Sequence, residues 1–192
     1  AHSTLLGLAN GPSIELAEAL VARAPAGLTR VFYTDCGAAG VEAALKIAWQ
    51  YHRQKPHPEQ RDRFVCLGAA YHGDTVGTIS LGGIDPFHSL FGGLMFPALR
   101  VPSPAQPGLT LDACLQETEA VLTPHADRIA GIVLEPLVQA AAGILVHPQG
   151  YLREIRELTR RLGIPLIADE IAVGFGRLGT LFACEQEGVS PV

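Results

Sequence analysis

Lysine is almost missing from this chain. Lys46 and Lys55 are the only two in 192 residues, and no run of Lys and Arg accumulates into a basic block. Fourteen basic against nineteen acidic residues leave a net charge of −5, which argues against nucleic acid or an anionic membrane surface as partner. No apolar run approaches the roughly 20 residues that cross a bilayer. The opening AHSTLLGLANGPS has neither the charged segment nor the apolar stretch of a secretory signal. Cysteine is sparse and scattered (Cys36, Cys66, Cys114, Cys184), with no CxxC pair. Reduced, mostly buried thiols in a cytoplasmic protein are therefore expected, not a disulfide framework or a metal site. The seven histidines show no HExxH spacing; His52 and His57 read as a solvated helix end followed by a proline-rich loop, and no metal is expected. Aromatics are few, at 6% against 48% hydrophobic residues overall. That is the balance of an ordinary α/β core rich in Ala and Gly.

What is present reads as alternating elements. Ser13 to Ala22 has a helical pattern, with Ser13 as N-cap, Ile14, Ala17 and Val21 on one face, and Pro25 as the stop. Val31 to Thr34 is a short apolar strand, and Asp35 to Gly40 turns into a helix from about Val41 to Gln54. Val41, Leu45 and Ala48 form its apolar stripe. Strands are expected at Arg63–Leu67, about Leu99–Val101, Ile129–Leu134 and Pro165–Ala168, and helices at about Leu111–Leu122 and Gln149–Leu162, the latter closed by Gly163. The stretch from Gly68 to Phe96 reads as long, irregular and glycine-rich, a kind of segment that tends to be functional. Strands separated by helices of ten or more residues predict a mostly parallel sheet with helices on both faces. The length suits one domain or a large piece of one, and no linker marks a boundary within it.

Four points along the chain place useful groups at strand ends or in a loop. Gly37-Ala38 opens a helix directly after a strand, which makes either a phosphate seat of free backbone N–H groups or a plain strand-to-helix turn. Tyr71-His72-Gly73-Asp74 offers a ring for stacking on a planar group, or a packed tyrosine. Glu135-Pro136-Leu137-Val138-Gln139 puts a carboxylate and an amide after an apolar strand, as part of a site or as the start of a solvated loop. Asp169 and Glu170 close the last strand. A carboxylate buried there needs a cation to meet it, whereas helix capping or a surface ion pair would account for an exposed one.

In order along the chain, the segments VFYTDCGAAGVEAALK, AAYHGDTVG, LEPLVQAAAG and LIADEIAVGFGRLG resemble the class III (fold type I) pyridoxal-phosphate aminotransferases. The resemblance covers essentially the whole chain. Within that class, YHGDT followed by GGIDPFHSLFGGLMFP, together with EPLVQAAAGILVHP and GRLGTLFACEQEGVSP, looks most like the branch that converts 8-amino-7-oxononanoate to 7,8-diaminononanoate in biotin biosynthesis. Another class III enzyme, acting on an ω-amino acid such as 4-aminobutyrate or ornithine, is the alternative; so is a non-catalytic folding or dimerisation fragment.

The resemblance implies a cofactor, pyridoxal 5'-phosphate, and a role for each matching position. Gly37 and Ala38 fall where backbone amides grip the cofactor phosphate. Tyr71 and Ile171 fall on the two faces of its ring. Asp169 matches the catalytic carboxylate paired with the ring nitrogen, and Glu135 and Gln139 lie beside the phenolic oxygen and the substrate. Asp74 and Arg177 match substrate-side positions. The implied partners are small molecules: 8-amino-7-oxononanoate and an amino donor, either S-adenosylmethionine or lysine. A homodimer is implied as well. Two residues depart from the pattern. Ala38 replaces a serine or threonine, so one side-chain hydrogen bond to phosphate, worth about 1.5–3 kcal/mol, is absent; Val173 stands where threonine is common. The resemblance also implies a Schiff-base lysine beyond Asp169, yet no lysine follows Lys55. The expectation is that residues 1–192 form part of the large cofactor-binding domain, without the N-terminal segment, the catalytic-lysine region or the small C-terminal domain, and are inactive alone.

Overall fold

A computed structural model describes Leu5 and residues 7–191; residues 1–4, part of the opening read above for a secretory signal, lie outside them. Its centre is a sheet of four parallel strands, β1 (Arg63–Leu67), β2 (Leu99–Val101), β3 (Ile129–Leu134) and β6 (Leu166–Ala168), in the order β2-β1-β3-β6. Between β3 and β6 lies a small antiparallel hairpin of β4 (Val138–Gln139) and β5 (Leu145–Val146). Every residue of β3 is buried, as expected of a strand covered on both faces.

Side chains alternate between two helical layers. Helices α2 (Gly37–Arg53) and α3 (Val76–Leu81) cover one face, where Val41, Leu45, Ala48 and Leu81 meet Phe64, Cys66 and Val133. Helices α5 (Leu111–Leu122) and α6 (Tyr151–Arg161) cover the other, where Leu122, Leu152, Ile155 and Leu158 meet Val65, Leu67, Ile132 and Leu134. Tyr151, Leu152, Ile155, Leu158 and Thr159 fall on one stripe of α6, spaced for a 3.6-residue turn. Each fully buried Leu or Ile there contributes about 1.5–3 kcal/mol. Thr110 caps α5 by accepting the Ala113 N–H at 3.2 Å. The start of α6 is capped from a distance, as the Glu187 carboxylate accepts the N–H groups of Gly150 and Arg153. The remaining helices are α1 (Gly11–Val21) and α4 (Asp85–His88).

One irregularity sets the phase of β3. Arg63 pairs with Ile129 but Phe64 pairs with Gly131, so Ala130 is an extra residue in the ladder, a β-bulge. The freed Ala130 carbonyl accepts the His52 Nε2–H at 3.1 Å, and His52 is 1% exposed. His52 is thus the last buried residue of the α2 stripe, not a solvated helix end. Its Nδ1 lies 3.2 Å from Glu59 Oε2.

The structure corrects the sequence reading elsewhere. Asn10, not Ser13, caps α1, accepting the Ser13 N–H at 3.0 Å. Val31–Thr34 forms no strand: the described residues place no ladder partner beside it, and Phe32 is exposed. The stretch Gly68–Phe96 is not irregular throughout; it holds α3, α4 and a 3₁₀ turn at Ser89–Leu94. The four cysteines are free, and all but Cys36 are buried. No described helix is long and apolar enough to cross a membrane, and no described His, Cys, Asp and Glu cluster could hold a metal ion.

Candidate active site

Parallel strands end together, so β1, β3 and β6 deliver Tyr71, Glu135 and Asp169 to one side of the sheet, the place where open α/β sheets bind ligands. Helix α2 begins at the same side. The result is a cavity of about 760 Å³. Of the residues singled out in the sequence, Gly37, Ala38, Tyr71 and Asp74 line it, as do Glu135, Asp169 and Ile171. No lysine or arginine is among its described lining residues.

Asp169 is deeply enclosed. The residue is 8% exposed, and its Oδ2 lies 2.7 Å from the Nδ1 of His72, which is itself buried. Its other oxygen accepts the Ile171 N–H at 3.1 Å. The carboxylate is therefore oriented by two donors, yet no lysine or arginine neutralises it. Its neighbour does something else. Glu170 accepts the N–H groups of Ala183 and Cys184 and so caps the 3₁₀ turn Ala183–Glu187. Adjacent residues at a strand end point to opposite sides. The acidic pair divides accordingly into one site residue and one capping residue.

Glu135 is held by two backbone amides, Tyr71 N–H at 3.2 Å and Ala140 N–H at 3.1 Å. Burial pushes its carboxyl above the usual range, a trend the two amides and His72 oppose by favouring the ionised form. The Tyr71 hydroxyl donates to Asp74 Oδ2 at 2.8 Å, and this bond raises the phenol's pKa. Behind the Tyr71 ring stands the near-parallel imidazole of His88, with centroids 6.1 Å apart.

At the start of α2, Cys36 is the N-cap, and its thiol accepts the Ala39 N–H at 3.5 Å. The amides of Gly37 and Ala38 have no acceptor within the helix. Ile171 packs directly on Gly37, where a Cβ would come within 2.8 Å of the isoleucine Cδ1.

Two candidates do not join the cavity. Gln139 is fully buried on the hairpin, with its Nε2 donating to the Gly68 carbonyl at 2.8 Å and its Oε1 accepting from Ser103 Oγ. It ties β4 to the ends of β1 and β2. Arg177 is exposed in the turn after β6 and lines a separate depression with Phe175 and Gly176. The left-handed backbone at Phe175 (φ 54°) turns the chain before the arginine is reached. Conversely, His72 lines the cavity although the sequence gives it no role. Its signal was its place between Tyr71 and Gly73, in a loop directly after an apolar strand.

A planar, phosphorylated, cationic group suits this cavity on the structure's own terms. Free amides at the head of a 17-residue helix suit an anion. A buried carboxylate with no lysine or arginine beside it suits a protonated nitrogen. Comparison with known proteins points the same way. The aminotransferase class-III family model matches residues 1–191. An adenosylmethionine-8-amino-7-oxononanoate aminotransferase of Nitratidesulfovibrio vulgaris is 54% identical over 100% of this chain and 37% of its own length. The crystal structure of the Methanocaldococcus jannaschii protein of that name aligns with a TM-score of 0.88 at 38% identity, covering 96% of this chain and 41% of that one. An amine transaminase from an uncultivated Pseudomonas species, solved in its PLP-bound form, aligns at 0.89 with 33% identity, covering 99% of this chain and 45% of the other. The chain thus spans about two fifths of the length of each of these relatives.

Proposed function

This chain belongs to the class III aminotransferase family, and on that premise we propose that the protein carrying it is a pyridoxal-phosphate-dependent aminotransferase. Its acceptor is 8-amino-7-oxononanoate, converted to 7,8-diaminononanoate in biotin biosynthesis, and its amino donor is S-adenosylmethionine. The chain contributes part of the large, cofactor-binding domain of a cytoplasmic homodimer. One observation carries this reading: a buried Asp169, braced by His72 and met by no lysine or arginine, shares a cavity with the unpartnered amides that open α2. Relatives that bear the aminotransferase name at 44–54% identity over the full chain support the choice of substrate.

When bound, pyridoxal phosphate supplies an electron sink for removing a proton from the carbon that carries the amino group. The chain's own residues supply orientation and charge. The Gly37 and Ala38 amides would hold the phosphate, with the helix end behind them. Asp169, braced by His72, would favour a protonated ring nitrogen. Tyr71 and Ile171 would enclose the ring, and Glu135, set by its two amides, would serve the phenolic oxygen. Asp74 holds the Tyr71 hydroxyl and stands on the substrate side.

Steady-state turnover by the complete protein tests the reading. Amination of 8-amino-7-oxononanoate with S-adenosylmethionine is expected. Turnover of 4-aminobutyrate or ornithine, with none of 8-amino-7-oxononanoate, would move the protein to the ω-amino acid branch. Lysine replaces S-adenosylmethionine as donor if only lysine supports the reaction.

A further inference from the structure

The loop that carries Tyr71 and Asp74 is joined to the first turns of α2 at three places. Gly73 (φ 118°) lies flat against Ala38, where a Cβ would come within 2.7 Å of the alanine Cβ. Further along, Glu42 on the second turn of α2 reaches across the gap. One oxygen, Oε1, accepts both the Thr75 hydroxyl at 2.7 Å and the Gly77 N–H at 2.9 Å.

Both bonds fall at the start of α3. Thr75 is the N-cap by position, but its side chain bonds no helix amide. Glu42 does that work from another helix, taking the Gly77 amide that would otherwise lack an acceptor. The contact needs glycine at position 77: a Cβ there would lie 2.3 Å from the other carboxylate oxygen. Backbone and carboxylate approach each other because nothing stands between them.

We propose that Glu42 is a positioning residue of the active cavity, fixing the height of the Tyr71–Asp74 wall above the helix start that receives the phosphate. It acts through the loop and does not line the cavity. The proposal rests on the cofactor reading above for its functional consequence, but its structural part stands on the Glu42 bonds alone.

The experiment uses the complete protein, with two readouts: the dissociation constant for pyridoxal phosphate, and amide hydrogen exchange across residues 71–77. Glu42→Ala is expected to weaken cofactor binding and to speed exchange in the loop, each about tenfold or more, because both charged hydrogen bonds are lost. Glu42→Gln keeps an oxygen able to accept both donors, without the charge, and should lose clearly less than the alanine variant. Gly77→Ala, which leaves the carboxylate intact and displaces it, should reproduce the loss. The double variant should be no worse than either single one, because both remove the same contact. Thr75→Val, which removes one of the two donors to Glu42 together with the hydroxyl contact to Thr78, gives a milder change in the same direction if Glu42→Ala does not fold. Unchanged exchange in Glu42→Ala, a glutamine variant as impaired as the alanine, or additive effects would each overturn the proposal. Should exchange respond as expected while even the parent protein binds no pyridoxal phosphate, the positioning role survives and the cofactor reading fails.

Discussion

Two glutamates mark the two ends of the sheet. At the end where the strands begin, Glu59 meets Lys55 and Arg61, and its carboxyl is held at about 2. At the end where they finish, Glu135 meets backbone amides, and burial pushes it the other way. Arg61 completes the first end: its Nη1 lies 2.8–3.1 Å from the carbonyls of Ala126, Ile129 and Gly163. Polar groups there are closed among themselves. The cavity end leaves the Gly37 and Ala38 amides without a helix acceptor and a buried acid with no lysine or arginine beside it. It also holds the backbone strain, since Ala69, Leu137, Ile144 and Phe175, the described non-glycine residues with left-handed conformations, all lie beyond strand ends or in the β4–β5 hairpin on that side. One end is built for cohesion. The other gathers buried acids, free helix amides and strained backbone around a cavity, the pattern expected of a functional site.

Substitutions at the two ends should separate activity from stability. The largest effect belongs to Asp169→Ala in the complete protein: turnover falls on the order of 10³-fold while circular dichroism stays native. Near-normal kcat would erase the distinction between the ends. Arg61→Ala should do the opposite, costing about 2 kcal/mol in urea unfolding as part-buried carbonyls lose their shared donor, with kcat per folded molecule unchanged. Next comes His147, buried against the edge of Tyr151 with no hydrogen-bond partner among the described residues. Burial pushes its pKa from 6.5 down to about 4. The unfolded chain therefore takes up a proton below pH 6.5 that the folded chain refuses until about pH 4. Stability is full above that window and falls by about 3 kcal/mol across it; denaturant melts of His147→Leu should lack this fall. The smallest effect is Ala69→Gly, which relieves the left-handed backbone (φ 57°) and should leave the protein neutral to about 1 kcal/mol more stable.

The parts of this architecture that were legible in the sequence share a cause. β1, β2, β3 and α5 fall on the predicted residues because each is an apolar run or stripe bounded by turn residues. The site residues at strand ends were legible for the same reason: an acid closing an apolar run has one place to go in a parallel sheet. Long-range partners were not legible. Val31–Thr34 has strand composition, but a strand exists only with a neighbour. α3 is six residues long and α4 is shorter, below the length at which helical periodicity declares itself. His52 reads as polar and terminal, and nothing local announces the Ala130 carbonyl 78 residues away. Gln139 and Arg177 follow motif positions, yet hairpin pairing turns one inward and a left-handed residue carries the other out.

The extra residue at Ala130 has a consequence beyond its bond to His52. Because outward and inward directions swap at every step of a strand, Ile129 and Ile132, three places apart, share the α5–α6 layer only because Ala130 is an extra residue between them. Glu135, three places beyond Ile132 with no such insertion, falls on the opposite side and faces Tyr71 and not α6. Removing Ala130 would restore a regular ladder and leave Ile132, Val133 and Leu134 in phase with β1, but it would take away the carbonyl that His52 meets. The bulge thus serves the helix that packs on the strand's first half, while the direction of the glutamate follows from pairing with β1.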